Sequence, residues 1–370
     1  MAGRSATKLA QVRDEIGAPA SLPLLTADAS DPPALRALVQ QAHAVITTVG
    51  PYQLYGEPLL VACAAAGTDY LDLCGEPAWM AQMIRQHEPA AKKSGARIVF
   101  SCGFDSVPFD LGVCFLQHAA WQRFNEALQE VRGHVLRMKG GLSGGTAASL
   151  VATLEAAGSD PQVARTMANP FALTPGFQGP PQPDLKQAQF EAEAKAWSVP
   201  FVMAPINTKN VHRSNLLSGH RYGKDFVYQE RQLVGRGAAG EWRAKATAGA
   251  TQMQMLALSF APTRALISRF ALPQPGQGPG PNEREQGRYT LRFAGRTASG
   301  QSLAARVKGD RDPGYGSTSK IISECALALV RDTPRSSTAG GVWTPAAALG
   351  VGVTTRLQER AGLSFEIEGS

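Results

Sequence analysis

Two short strings pair a glycine-bearing turn with residues able to move a proton. In TVGPYQ, Thr48, Gly50 and Pro51 precede Tyr52, whose phenol can donate a proton or stack on a flat ring. No lysine stands at short spacing from Tyr52 to assist it. In SCGFDSVP, Cys102 and Gly103 precede Asp105 and Ser106. Asp or Ser ahead of Val-Pro is a helix start signal, so Asp105 is expected as an N-cap, a role that leaves substrate contact open. Cys102 reads as a small buried filler more readily than as a nucleophile. Asp72 and Glu76 flank the turn at Gly75 and can shape the same cleft, with a helix cap as the equal alternative for Glu76.

The opening residues offer an anion contact. AGRS looks like the end of a strand, where nucleotide-binding folds carry an acid for a ribose hydroxyl or an Arg for a 2′-phosphate. That place holds Gly3, Arg4 and Ser5, with Asp28 as a further cofactor contact. A solvated terminal Arg is the equal alternative for Arg4. No G-x-G-x-x-G lies near the N-terminus. GGLSGG at 140–145 lies far downstream and reads as a flexible turn between a strand over 131–139 and a helix over 147–157.

The elements that must position these residues follow an alternating pattern. Leu9, Val12 and Ile16 predict a helix over 6–16, ended by Gly17, and SLPLL predicts a strand over 21–25. Asp31 with Pro32 and Pro33 predicts a helix through Gln41. AVITT at 44–48 predicts a buried strand, followed by a helix over 57–66, a strand over 70–73 and a helix over 77–94. RIVFS at 97–101 predicts the last strand of the series, with a helix opening near Pro108. Such alternation implies βαβ units and a doubly wound parallel sheet. Further on, 291–294 and 302–307 predict a hairpin, 317–330 an apolar helix, and 171–183 and 273–281 surface loops.

The chain has 370 residues, enough for two or three domains at roughly 100–200 each. With 44% apolar and 18% charged residues it can bury a large core, which excludes wholesale disorder. The net charge of +7 is scattered, with no basic run longer than Lys92-Lys93, so no nucleic-acid partner is expected. The basic excess suits anionic cofactors or lipid head groups. Five cysteines without a C-x-x-C point to reduced thiols in a cytoplasm, and six histidines without ligand spacing point to no metal. The opening residues hold no secretory apolar region, and the uncharged stretches 246–263 and 336–355 are broken by Gly, Pro, Ser and Thr. Met253–Leu272 is strongly apolar, with Arg264 and Arg269 as its charges. It is expected in the core, with a membrane-facing or acyl-facing element as the sharper reading.

AGRSATKL, ITTVGPYQLYGEPLLVACAAAGTDYLDLCGE, GARIVFSCGFDSVPFDLG, GDRDPGYGSTSKIISECALAL and GGVWTPAAALG resemble the saccharopine dehydrogenase-like family. Within it they look closest to the bacterial branch that includes the trans-acting enoyl reductases of lipid synthesis. The resemblance spans nearly the whole chain. It implies a Rossmann-like NADP-binding domain over 1–120, a mixed α/β substrate domain over 121–335, and a segment over 336–370 packing back on the first. Against the family pattern the first strand, Gly-rich turn and helix are missing, so the chain is expected to be truncated at its N-terminus. Ala44–Thr48 is then expected at a sheet edge.

The function so implied is an NADP-dependent oxidoreductase reducing a C=C or C=O bond of an acyl-type substrate. Tyr52 and Asp105 are its candidate catalytic residues, and Gly3, Arg4, Ser5, Asp28, Thr48, Gly50, Pro51, Cys102 and Gly103 its candidate cofactor contacts. The alternatives are a degenerate member acting as a lipid-surface or interaction protein, and a saccharopine-type amino-acid dehydrogenase. The expected setting is cytoplasmic, with candidate peripheral contact at the inner membrane surface through Met253–Leu272 and a candidate homo-oligomer.

Overall fold

The computed structural model describes residues 1–141, 143–184, 186–274 and 276–369. The GGLSGG and PQPGQGPGP strings therefore each contain one residue, Leu142 and Pro275, outside the described set, as does the final Ser370. In the first third come β1 (Ala2–Gly3), α1 (Ala6–Glu15), β2 (Leu25–Thr26), α2 (Pro32–Val39) and β3 (Ala44–Ile46). Next are α3 (Tyr52–Tyr55), α4 (Glu57–Ala66), β4 (Asp69–Leu71), α5 (Pro77–Ser94), β5 (Arg97–Val99) and α6 (Val107–Phe124). The middle holds β6 (Leu128–Lys139), α7 (Gly144–Ser159), α8 (Pro161–Ala168), β7 (Gln189–Glu191), β8 (Ala196–Pro200), α9 (Ala204–Leu217) and β9 (Val227–Gly235). Then follow α10 (Gly237–Ser259), α11 (Ala261–Phe270), α12 (Pro281–Gln286), β10 (Arg288–Thr297), β11 (Ser302–Gly309) and α13 (Gly316–Arg331). The chain closes with β12 (Gly341–Trp343), α14 (Pro345–Leu349), α15 (Val353–Arg360) and β13 (Leu363–Ile367).

The local reasons for the early helices are visible in their ends. Asp31 accepts from the Ala34 amide and Pro32 occupies the first turn of α2, where no amide hydrogen is needed. α5 opens on Pro77 and ends at Gly95, whose φ of +86° suits glycine, with Lys92 and Lys93 in its last turn. The short strands AVI, DYL and RIV between these helices form a parallel sheet in the order β12-β5-β4-β3. Tyr70, Leu71, Ile98 and Val99 in it are fully buried, as a sheet covered on both faces requires.

β3 lies at the edge of this sheet, as the sequence led us to expect. β1 and β2 pair in parallel as a separate ribbon, and no ladder joins them to β3. On its unpaired side the edge strand is open to solvent, with Ile46 43% exposed. The C-terminal β12 extends the same sheet beyond β5, and β13 joins β11 in a mixed sheet of order β13-β11-β10-β6-β9-β8-β7. That sheet contains the expected hairpin, with buried and half-buried residues alternating along β10 and β11.

Two features depart from the sequence pattern. Met253–Leu272 is not core: it forms the end of α10 and all of α11, and Leu258 is its buried apolar residue. In contrast α9, whose sequence APINTKNVHRSNLL reads as polar, is buried along nearly its whole length. Asn207 of α9 donates to Glu230 Oε2 at 2.9 Å, and the Tyr228 hydroxyl donates to Glu230 Oε1 at 2.6 Å. Ser214 donates to Asp110 at 2.6 Å. Burial pushes the Glu230 carboxyl up to about 8 and that of Asp110 up to about 7. An acid whose pKa rises on folding takes up a proton as the chain folds. Its contribution is fully present below the unfolded value near 4.5 and is lost as pH rises through about 8. Glu230→Gln, a neutral near-isostere, is expected to flatten the fall of urea stability between pH 5 and 9, at about the scale of 1 kcal/mol or more. An unchanged slope would assign the pH dependence elsewhere.

Candidate functional site

The loops after β3, β4 and β5 meet at the carboxyl edge of the parallel sheet, where open α/β sheets bind ligands. Glu76, 2% exposed, stands between them. Its Oε1 accepts from the Tyr52 amide at 2.8 Å and from Ser149 Oγ at 2.7 Å, and its Oε2 accepts from the Gln53 amide at 2.8 Å. The carboxylate thus caps the first turn of α3 from another loop, although it makes no side-chain cap of its own helix α5. Ser149 belongs to α7, and Gln53 Nε2 reaches Thr153 Oγ1 of the same helix at 3.4 Å. α7 is thereby fixed beside the Gly50 turn, where a Cβ added at Gly50 would stand 3.8 Å from Ser149 Oγ.

Asp72 performs the equivalent task between β4 and β5. Its Oδ1 accepts from the amides of Ser101 at 2.9 Å and Cys74 at 3.0 Å, while the Tyr70 hydroxyl donates to Oδ2 at 3.0 Å. Burial raises its carboxyl to about 7 against the opposing pull of these bonds. Ser101 is held at φ +61°, a left-handed conformation unusual for a residue with a side chain. Its amide bond to Asp72 and its hydroxyl bond to the Cys74 carbonyl at 2.6 Å hold it there.

Several expected site residues turn out to be structural. Tyr52 is buried rather than aimed into an open cleft. Its hydroxyl donates to the Thr47 carbonyl at 3.1 Å and accepts from the Leu73 amide at 3.0 Å, and burial raises its pKa well above the usual phenol value. Cys102 is fully buried with its thiol turned toward the Val99 and Phe100 carbonyls, as a small filler would be. Gly103 is buried too, and a Cβ there would fall 2.9 Å from Leu73 Cδ2, so close packing requires the glycine. Thr48 and Gly50 are exposed, with Pro51 half-buried at the mouth.

Asp105 is not the expected helix cap. The N-cap of α6 is Ser106, which makes no side-chain cap bond; its hydroxyl donates to Asn207 Oδ1 at 2.9 Å and accepts from Asn210 Nδ2 at 3.0 Å. Asp105 is half-buried and accepts no hydrogen bond among the described residues. Burial pushes its carboxyl up to about 6. On its other flank the Phe104 amide donates to Thr318 Oγ1 of α13 at 3.0 Å. Sequence reasoning missed the supports contributed by α7, α9 and α13, because Ser149, Thr153, Asn207 and Thr318 lie on helices far away along the chain.

Arg4 follows β1 in the separate ribbon, exposed and without an ion pair among the described residues. Asp28 accepts from the Ser30 amide at 2.8 Å and hydroxyl at 2.6 Å, bonds that hold its carboxyl below the usual range with a smaller pull from Arg4. Ser5 caps α1 by accepting from the Lys8 amide at 3.3 Å. A free guanidinium beside a helix start, with Lys8 one turn on, suits a phosphate on a ribose. No hydrogen bond or ion pair among the described residues connects Arg4 to the 48–51 or 101–106 loops.

Comparison with known proteins agrees with this geometry. Residues 1–99 match the saccharopine dehydrogenase NADP binding domain. A protein of Mycobacterium tuberculosis named as a trans-acting enoyl reductase is 41% identical over 99% of this chain and 90% of its own length. A trans-acting enoyl reductase of Mycobacterium ulcerans is 38% identical over 97% of this chain and 88% of its own. The apo saccharopine dehydrogenase (L-Glu forming) of Saccharomyces cerevisiae shares the fold, with a TM-score of 0.52, 13% identity and coverage of 99% and 93%. The chain belongs to the saccharopine dehydrogenase-like family, in the branch of the mycobacterial trans-acting enoyl reductases. It is thus related to oxidoreductases that use a nicotinamide dinucleotide.

Glu76→Ala would leave the buried Tyr52 amide and its Gln53 neighbour without an acceptor. Urea unfolding is expected to show a loss of about 1–3 kcal/mol, with Glu76→Gln intermediate. Wild-type stability in Glu76→Ala would mean that the α3 turn is held by something else.

Proposed function

We propose that this protein is a cytoplasmic, NADP-dependent oxidoreductase that reduces a C=C or C=O bond beside an acyl chain. The observation that carries the reading is Asp105: a half-buried carboxyl of raised pKa, unpartnered among the described residues, at the ligand-binding edge of a sheet whose other loop acids are fully engaged. Its mounting supports the role, since the flanking Phe104 amide and Ser106 hydroxyl are pinned to α13 and α9. The acyl-type substrate rests on the names of the relatives, and the reducing compartment on the free cysteines among the described residues.

In this reading Gly3, Arg4 and Ser5 hold the phosphorylated ribose, while Thr48, Gly50 and Pro51 line the nicotinamide side of the cleft. The bound cofactor supplies a hydride. Asp105 in its acid form delivers the accompanying proton to the neighbouring atom of the reduced bond and is reprotonated from water. Tyr52 acts at one remove, by fixing the 47–51 loop against Leu73. A non-catalytic family member is the second reading; NADPH would then leave tryptophan fluorescence unchanged.

Asp105→Asn is expected to lower kcat for NADPH oxidation with enoyl thioesters by about 10²-fold or more, with NADPH binding retained. Because the donor must be protonated, wild-type kcat should fall as pH rises through about 6, and the variant should lose that limb. An unchanged kcat and profile would remove Asp105 from the chemistry. Arg4→Ala should weaken NADPH about tenfold and leave NADH unaffected, as expected for a charge-assisted phosphate contact. Equal affinities in wild type and variant would refute the ribose-phosphate assignment.

A further inference from the structure

α10 rests on the mixed sheet through one face and shows the wrong chemistry on the other. Gly240, Ala244 and Ala248 form the inward stripe, the two alanines packing with Val199, Trp197 and Val234. Directly opposite run Trp242, Ala246, Gly249, Met253, Leu256 and Phe260, spaced alternately by four and three residues. A helix half-covered by its own protein normally turns polar residues to water on that side. Here the large members of the outward stripe, together with Leu266 and Phe270 of α11, are between 61% and 74% exposed. The chain carries no charged residue from Ala246 to Thr263.

Charge lies at both ends of this apolar span, and its unpaired part is basic. Exposed Arg236 and Arg243 precede it and exposed Arg269 follows, while Lys245 is paired with Glu241 at 2.6 Å and Arg264 is turned toward Glu155. A second copy of the chain is a poor occupant, because a two-fold contact would set this basic surface against itself. Protruding Trp, Met, Leu and Phe side chains on two successive helices suit a fluid apolar phase bounded by negative charge. No helix among the described residues is long and apolar enough to cross a membrane. We infer that the outward face of α10 and α11 docks this protein on an anionic lipid surface, with Trp242, Leu256, Phe260, Leu266 and Phe270 inserted at the level of the acyl chains and Arg236, Arg243 and Arg269 among the head-group phosphates.

The docking face is coupled to the site by position. α11 touches α7 through Arg264, 3.8 Å from Glu155, and α7 is the helix that Glu76 and Gln53 hold beside the Gly50 turn. An acyl substrate leaving the lipid phase would therefore meet the cleft next to its cover, a consequence that rests on the proposed reductase reading, whereas the docking itself does not.

Flotation of the full chain with vesicles of phosphatidylcholine, alone or mixed equally with phosphatidylglycerol, tests the inference. The wild type is expected to float with the mixed vesicles, more weakly with phosphatidylcholine alone, and less as salt is raised. Leu256→Asp with Phe260→Asp should reduce partition about tenfold or more on both vesicles, and Arg243→Gln with Arg269→Gln should reduce it on the anionic ones only. All these side chains are exposed, so unfolding midpoints should stay put. No flotation above the vesicle-free control, an unaffected aspartate pair, or a dimer in light scattering that the aspartate pair dissolves would each overturn the inference. Tryptophan quenching by NADPH in the same samples separates the two readings. Quenching without flotation rejects the docking face alone, and flotation without quenching rejects the redox assignment alone.

Discussion

A single buried carboxylate, that of Glu76, sets the geometry of the cleft. Withdrawing a charge from water is expensive unless donors replace the lost hydration, and here two amides and a hydroxyl do so. Because those donors come from α3 and α7, satisfying one anion ties both helices to the loop after β4. The sequence positions involved span residues 52 to 149, so this contact also brings the mixed-sheet half of the chain to the parallel sheet.

The floor of the site follows the same logic with neutralisable groups. Asp72 locks Ser101 in its left-handed conformation, and Glu230 with Asp110 anchors α9, whose asparagines hold Ser106. Buried polar networks of this kind are rigid when satisfied, because each missing bond carries a desolvation penalty. Asp105 lies between such fixed neighbours and accepts no hydrogen bond itself among the described residues.

Much of the parallel sheet was legible in the sequence. The run of βα units, the ends of α5, the edge position of β3 and the hairpin of β10 and β11 follow from period, caps and turn residues acting locally. The site was less legible, because its geometry depends on side chains that meet across long separations. Tyr52 and Cys102 were placed near the right loops, yet burial turned both toward the protein interior. Asp105 was expected to cap α6, a role local propensity favours, but Ser106 takes the N-cap position and binds α9 instead. For Met253–Leu272 it was the core expectation that failed, since partners outside the local window decide which surface is covered.

The lone ladder along β3 also bears on how the molecule comes apart. A three-residue strand held from one side, with Ile46 exposed, has fewer bonds to break than β10, which is flanked by β6 and β11 over most of its length. Amide protons of Val45 and its neighbours should therefore exchange through small local openings while those of the mixed sheet await global unfolding. The segment that feeds the Gly50 turn is then the softest part of the cleft, able to breathe while the platform carrying Asp105 stays still.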